Sequence, residues 1–507
     1  MTTPDTTARA AVQFYNSLTR RKEPFQAMDG RQVRLYTCGP TVYNFAHVGN
    51  FRAYTFEDIL CRTLRYASYE VRQVMNLTDV DDKTIRGSRQ AGVPLKTFTQ
   101  PFVDAFFADL RTLNIVPAAI YPAATDHVPE MIALIQRLFA NGMAYQSEDG
   151  SVYFKVSALP SYGKLAHLDL SGLRAGARVA QDEYEKESVG DFALWKAWDE
   201  NDGDVAWDSP WGRGRPGWHI ECSAMGMKYL GETFDLHTGG IDNLFPHHEN
   251  EIAQSEGATG KPFVQVWMHC AHLRVNGEKM SKSLGNFFTL RDLLAKGYAG
   301  RELRYVLING HYRQPLNFTF DAVEAARTSL ARIDEFVDRL AETAAGAVPA
   351  PALPEWATES KRLFDAALFD DLNVPEALAA LFALVREGNT ALQKGALTAP
   401  EAAAVRALVA DFDRVLGIIS FGRNTRDQKL SAEVQALVAD LNRVPGIHAT
   451  ARVAINDPTT EVVSLLNARL AARNQKNWAE SDRLRDELAR LGWEVRDGKD
   501  GQKVKKL

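Results

Sequence analysis

Along residues 31–36 apolar and polar side chains alternate, with Val33 and Leu35 following Gln32 and Arg34 in turn. A period of two marks a half-buried strand. Over 51–66 the apolar residues recur at helical spacing, and 71–77 turns extended again, so this region predicts strand, turn, helix, strand: a βαβ unit. The same order returns much later, with Phe234 and Leu236 before Gly239-Gly240, helical spacing over 247–254 and another strand over 263–267. Two halves of one parallel sheet, separated by about a hundred residues, imply an insertion between them.

The intervening stretch, 116–206, carries a helix at 128–141, a strand at 152–156 and a charged run at 182–187, and predicts a small inserted lobe. From Asp321 the composition turns rich in Ala, Leu, Arg and Glu. Val323, Ala326, Leu330 and Ile333 share one helical face, which predicts a helical bundle with an Ala/Pro linker at 344–354. The pattern weakens after 423–429. Two amphipathic helices at 462–470 and 478–491, a stop at Gly492 and a basic tail with Lys503, Lys505 and Lys506 then predict a separate C-terminal domain.

A chain of 507 residues is too long for one ordinary core. Its net charge of −5 does not mark a protein that coats nucleic acid or anionic membrane, although 460–507 holds 11 Lys/Arg against 8 Asp/Glu. Four cysteines are too few for a disulfide scaffold, the first residues lack the basic and apolar regions of a secretory signal, and no apolar run reaches the ~18 to 20 residues that span a bilayer. These features predict a soluble, cytoplasmic protein.

His47-Val48-Gly49-Asn50 lies between the first predicted strand and its helix. There a glycine lets backbone approach phosphate closely, and the helix N-terminus offers free N–H groups and the positive end of its dipole. Without a partner site, a histidine at a strand end reads as a hydrogen-bonded structural residue. Lys279-Met280-Ser281-Lys282-Ser283, between Gly277 and Gly285, sets two lysines on a short polar loop where they would neutralise a triphosphate as pyrophosphate leaves. Read alone, the run is equally a solvated surface loop. Gly240-Ile241-Asp242 follows the strand at 234–237, a place where an Asp accepts ribose hydroxyls or caps a tight turn.

In this order the His-Val-Gly-Asn turn, the Gly-x-Asp turn and the Lys-Met-Ser-Lys-Ser loop resemble class I aminoacyl-tRNA synthetases. Four longer segments resemble the cysteinyl-tRNA synthetase family within that class: Cys38-Gly39-Pro40-Thr41-Val42-Tyr43, Asp191-Phe192-Ala193-Leu194-Trp195-Lys196, Gly217-Trp218-His219-Ile220-Glu221-Cys222-Ser223 and Phe245-Pro246-His247-His248-Glu249-Asn250-Glu251. The resemblance implies an α/β architecture: a Rossmann-type parallel-sheet catalytic domain in two halves (1–115 and 207–270) around an inserted connective lobe (116–206). After it would come a region with the lysine loop and a stem contact (271–320), a helical bundle (321–425) and a small anticodon-binding domain (455–507). It also implies activation of L-cysteine by ATP with Mg²⁺, transfer to the 3′ end of tRNA(Cys), and a monomer without membrane contact. His47, Lys279 and Lys282 would be catalytic, and His47, Gly49, Asn50, Gly240, Asp242, Lys279 and Lys282 would contact the nucleotide. The class signature ends in a second histidine where this chain has Asn50, which donates hydrogen bonds but carries no charge, so His47 would carry more of the phosphate contact.

The resemblance further implies one zinc ion per chain on Cys38, Cys222, His247 and Glu251. Taken singly, either cysteine reads as a small buried hydrophobe and the His-x3-Glu spacing is weak, though it puts His247 and Glu251 on one face of the predicted helix. Chemistry gives the ion a purpose: serine is nearly isosteric with cysteine, and shape separates such pairs by only about 10- to 200-fold, whereas zinc favours a thiolate over a neutral hydroxyl. No editing domain is then needed, and the short lobe is assigned to the acceptor end. Glu251, a harder ligand than Cys or His, is expected to be the most weakly held. Trp218 and His219 would wall the amino-acid pocket or belong to the core, Cys61 and Cys270 would be inert, and Arg469, Arg473 and Trp478 are candidate anticodon contacts. Two rivals remain: a ligase joining cysteine to an amino sugar, disfavoured by the presence of 455–507, and a non-catalytic RNA-binding or zinc-stabilised protein, disfavoured by His47, Lys279 and Lys282.

Overall fold

The computed structural model describes residues 12–168, 190–281, 284–421, 478–490, 493–498 and 501–506. An antiparallel hairpin of β1 (Gln13–Asn16) and β2 (Arg21–Pro24) precedes the predicted βαβ unit, which consists of β3 (Gln32–Thr37), α1 (Val48–Tyr66) and β4 (Glu70–Met75). Val33 and Leu35 are fully buried, as their alternation requires, and Phe51, Leu60 and Leu64 carry α1 onto the core. Two helices follow, α2 (Asp82–Ala91) and α3 (Leu95–Thr112).

The next stretch holds α4 (Val128–Ala140) and a four-stranded antiparallel sheet in the order β5 (Ala144–Gln146), β6 (Val152–Phe154), β7 (Phe192–Ala197), β8 (Gly214–Pro216). The charged run at 182–187 lies outside the described residues. The chain returns through α5 (Trp218–Leu230), β9 (Phe234–Gly240), α6 (Glu249–Thr259) and β10 (Val264–Cys270). Strands β10, β9, β3 and β4 lie in that order in one sheet, all parallel. The chain leaves β3 towards β4 on one side and comes back to β9 on the other. The carboxyl ends of β3 and β9 therefore flank a topological switch point, where open parallel sheets bind their ligands.

The helix expected over 247–254 starts later than its spacing suggested. Leu244–His248 forms an irregular turn in which Phe245 is extended (φ −142°, ψ 132°), and the α-helix proper begins at Glu249. Pro246 is the reason: it offers no N–H to a helix and disfavours helical backbone at the residue before it.

Three short strands, β11 (Leu273–Val275), β12 (Glu278–Lys279) and, after α7 (Leu290–Ala295) and α8 (Gly300–Ile308), β13 (Leu316–Phe318), form a sheet in the order β12-β11-β13. The predicted bundle follows as α9 (Phe320–Ala344), α10 (Glu355–Phe369), α11 (Val374–Gln393) and α12 (Ala399–Leu416), with Val323, Ala326, Leu330 and Ile333 buried in it. Its core is continuous with that of α1. The fully buried Arg304 of α8 ties the two together: Nη2 donates to Asp58 of α1 at 2.6 Å and Nε to the Leu416 carbonyl of α12 at 2.7 Å.

Residues 448–507 make a second compact unit. Within it α13 (Trp478–Arg490) is followed by an antiparallel hairpin, β14 (Trp493–Gly498) and β15 (Gly501–Lys506). The expected basic tail is therefore a strand. The lysines drew the sequence reading, although Val504 alternates with Lys503 and Lys505 and glycines bound the turn, both hairpin signals. The expected helix at 462–470, with Arg469 and Arg473, lies outside the described residues, and Trp478 opens α13. Among the described residues no helix is long and apolar enough to cross a membrane.

Candidate active site and metal centre

Cys38 is the first residue after β3, Cys222 lies in α5, His247 in the turn before α6, and Glu251 in the first turn of that helix. The fold brings all four together: the two Sγ atoms, a ring nitrogen of His247 and a carboxylate oxygen of Glu251 lie within 4.8 Å of one another, every residue buried. His247 keeps the i, i+4 contact although it precedes the regular helix, with Nε2 3.1 Å from Glu251 Oε1.

Two further histidines, which the sequence reading missed, close in on the same atoms. His237 Nε2 is 2.9 Å from Glu251 Oε2, and His248 Nε2 is 3.2 Å from Cys38 Sγ. Cys38, His237, His248 and Glu251 form a second set of donors within 4.8 Å of one another. Behind them His248 Nδ1 meets His269 Nε2 at 2.8 Å. His237 is one position of an alternating strand and His248 a mere neighbour of an assigned residue, so spacing gave no signal of either.

Burial pushes the Cys38 thiol well above its ordinary range, and a neighbouring Cys222 thiolate adds to that. For Cys222 burial acts in the same sense, but hydrogen bonding from Cys38 and the charge of His247 outweigh it and bring this thiol below its ordinary value, to about 6. Burial also opposes the Glu251 carboxylate, yet His237 and His247 hold it down at about 2. For His247 burial favours the neutral ring, while Glu251 and Cys222 raise it to about 10. His248 is pushed far the other way by burial and by the surrounding histidines, and stays neutral. A buried set of two thiols, an imidazole and a carboxylate, two of them already poised as anions, is a donor set suited to a borderline-soft divalent cation.

Trp218 stacks on His247, ring centroids 4.3 Å apart and planes at 25°, and remains 38% exposed, while His219 Nδ1 meets His247 Nδ1 at 2.9 Å. Both therefore stand beside the cluster, with Trp218 on its open side. Burial keeps the thiols of Cys61 and Cys270 protonated, consistent with packing.

On the nucleotide side, His47 caps α1. Its Nδ1 accepts from Asn50 N–H at 3.1 Å, and its own N–H donates to Asn50 Oδ1 at 3.0 Å. A Cβ on Gly49 would stand 3.0 Å from both the His47 ring and Met280 Cε, so glycine permits a close approach there. Gly240 ends β9 and Asp242 folds its carboxylate back over it, 2.4 Å from where a Cβ would sit. Asp242 itself is exposed. Lys279 is exposed on β12; Lys282 and Ser283 lie outside the described residues.

Residues 24–328 match the family model of the class I (C) tRNA synthetase catalytic domain, 363–420 the DALR domain, and 456–504 the anticodon-binding domain of cysteinyl-tRNA ligase. Cysteine–tRNA ligase of Chlamydia muridarum is 46% identical over 97% of this chain and 99% of its own length, and that of Protochlamydia amoebophila 47% identical over 98% of both. Among solved structures, methionyl-tRNA synthetase of Mycobacterium tuberculosis in complex with methionyl-adenylate shares the fold at a TM-score of 0.55 and 17% identity, covering 84% of this chain and 97% of that one. The chain therefore belongs to the class I aminoacyl-tRNA synthetases and, within them, to the cysteine–tRNA ligase family.

Proposed function

We propose that the protein activates L-cysteine with ATP and transfers it to the 3′ end of tRNA(Cys), with Zn²⁺ on Cys38, Cys222, His247 and Glu251 selecting the amino acid. The observation that carries this reading is the buried thiol, imidazole and carboxylate cluster at the carboxyl end of β3, in a chain of this family. When bound there, zinc supplies a preference for sulfur as thiolate over the hydroxyl of serine.

In the first step a carboxylate oxygen of cysteine bonds to the α-phosphorus of ATP and pyrophosphate leaves, with Mg²⁺ accompanying the nucleotide. In the second, a hydroxyl of the terminal tRNA ribose bonds to the carbonyl carbon of the mixed anhydride and AMP leaves. The protein's share is orientation and charge stabilisation. Since Nδ1 of His47 accepts a backbone N–H, the neutral ring carries its proton on Nε2 and donates from there to a phosphate oxygen. Gly49 and the start of α1 offer backbone N–H groups to the same anion. Lys279 and Lys282 neutralise the departing pyrophosphate, Gly240 and Asp242 receive the ribose, and Trp218 covers the amino-acid side of His247.

The lobe around the β5–β8 sheet is assigned to the acceptor end and 455–507 to the anticodon. The anticodon-binding match favours a tRNA acceptor over an amino sugar. The test is charging of total tRNA with labelled cysteine, with serine as control and a chelated sample alongside. Cysteine-specific charging that is lost with the metal and restored by Zn²⁺ is expected; adenylate formation without charging would overturn the assignment of the acceptor.

A further inference from the structure

The described residues that follow the lysine loop are tied to the His47 turn one after another. Asn286 Nδ2 donates to the Lys279 carbonyl at 3.2 Å while Asn286 Oδ1 accepts from Ser281 N–H at 2.7 Å, so one amide pins two backbone groups. Phe287 packs edge to face against the His47 imidazole, with centroids 5.0 Å apart and planes at 77°. Val48 N–H donates to the Phe288 carbonyl at 2.9 Å, and Thr289 pairs with His47 in an antiparallel bridge.

Asn50 thus holds both the Nδ1 and the backbone N–H of His47, Phe287 meets its ring, and the bridge to Thr289 holds its backbone. The first and third fix where the residue starts and which nitrogen carries the proton. The ring's inclination about its own side-chain bonds is met by Phe287. The packing has a chemical consequence, because a donor helps a reacting phosphate only if it points where charge develops.

We propose that Phe287 is a positioning residue for adenylate formation: it holds the His47 imidazole so that Nε2–H faces the α-phosphate, and Asn286 sets where Phe287 stands by pinning the segment that bears Lys279. This rests on the reading that His47 contacts phosphate. In this role Phe287 acts through the His47 ring.

The test is cysteine-dependent ATP–pyrophosphate exchange by the full chain as wild type, Phe287→Ala, Phe287→Tyr, Asn286→Ala, His47→Ala and the double variant His47→Ala/Phe287→Ala, with a thermal unfolding curve for each. Since a misplacement of about 1 Å costs up to ~100-fold, Phe287→Ala should lower kcat roughly 10- to 100-fold and leave KM for cysteine within about twofold. Phe287→Tyr, which keeps the ring, should retain most of the rate, and Asn286→Ala should fall in the same direction as Phe287→Ala. In the His47→Ala background the Phe287 substitution should add little, because residues that act as one unit are not additive. Phe287→Leu, which keeps bulk without the ring, replaces the alanine variant if that one unfolds. A wild-type kcat in Phe287→Ala, or the same fold loss with and without His47, would overturn the proposal. Absence of exchange in the wild-type protein would instead overturn the proposed function on which it rests.

Discussion

His47 and Asn50 cap the first helix reciprocally: each backbone N–H finds the other's side chain, at 3.0 and 3.1 Å. Asn50 stands where the class signature has a second histidine, and here its side chain is occupied in starting α1. Its carbonyl oxygen satisfies an N–H that the helix leaves open, and in return the His47 tautomer is set.

Asn50→Ala removes one half of this cap. It should destabilise the protein by about 1 kcal/mol, the usual worth of an N-terminal cap, and lower exchange activity because His47 loses a restraint. Asn50→Asp keeps the acceptor oxygen and should lie closer to wild type in stability. Denaturant midpoints together with ATP–pyrophosphate exchange rates check both.

Cys222→Ser should abolish tight metal binding, since a hydroxyl is a poor substitute for a thiolate ligand. Elemental analysis should then show the metal content collapse relative to wild type. Discrimination of cysteine from serine in the exchange assay should fall towards the about 10- to 200-fold that shape alone provides. Full metal content in Cys222→Ser would remove this residue from the ligand set.

In the metal-free protein the His247–Glu251 pair has a predictable pH signature. His247 is raised from 6.5 to about 10, so its stabilising contribution is complete below pH 6.5 and is lost as the pH climbs towards 10. Glu251 is lowered from 4.5 to about 2, so its contribution is complete above pH 4.5 and is lost on acidification. Both act together between pH 4.5 and 6.5. Chelated wild type should therefore lose Tm between pH 6.5 and 9 more steeply than chelated Glu251→Gln. With Zn²⁺ restored the slope should reverse, because the ion and the His247 proton compete. Parallel slopes for the two chelated proteins would count against the pairing.

The βαβ unit, the bundle and its linker were legible because amphipathic periodicity records burial directly: Val33 and Leu35 face a core, as do Val323 and Leu330. Where local chemistry competes with periodicity, the reading slipped. Pro246 delayed α6 to Glu249, and the lysines of β15 masked its alternation. At the site, the four donors were identified through resemblance, and no spacing would have joined Cys38 to Glu251. The histidines around them were illegible for the same reason: the contact of His237 with Glu251 is made by the turn from β9 into α6, a property of the folded chain. The signature turn gave His47 a role but not its partners, since Phe287 reaches it only once the lysine segment has folded back.

Arg304 and Asp58 pair at 2.6 Å with both side chains fully buried, which predicts a large cost for removing the cation. Breaking such a pair typically costs about 3–5 kcal/mol because a buried charge is left behind. Here Asp58 keeps two other partners, Arg62 Nε at 2.7 Å and the Val116 N–H at 2.9 Å, so Arg304→Ala should fall at the lower end of that range. Arg304 also serves the Leu113 carbonyl of the turn after α3 and the Leu416 carbonyl of α12, and these acceptors lose their donor in the same variant. Asp58→Asn/Arg304→Met removes both charges and fills the space with apolar atoms, so it should recover part of the loss even though two carbonyls remain unserved. Denaturant unfolding of Asp58→Asn, Arg304→Met and the double variant, beside Arg304→Ala, checks this. Additive losses would mean that the two side chains contribute separately and that Arg304 acts through its carbonyl contacts to α12 and the turn after α3, and not through the ion pair to α1.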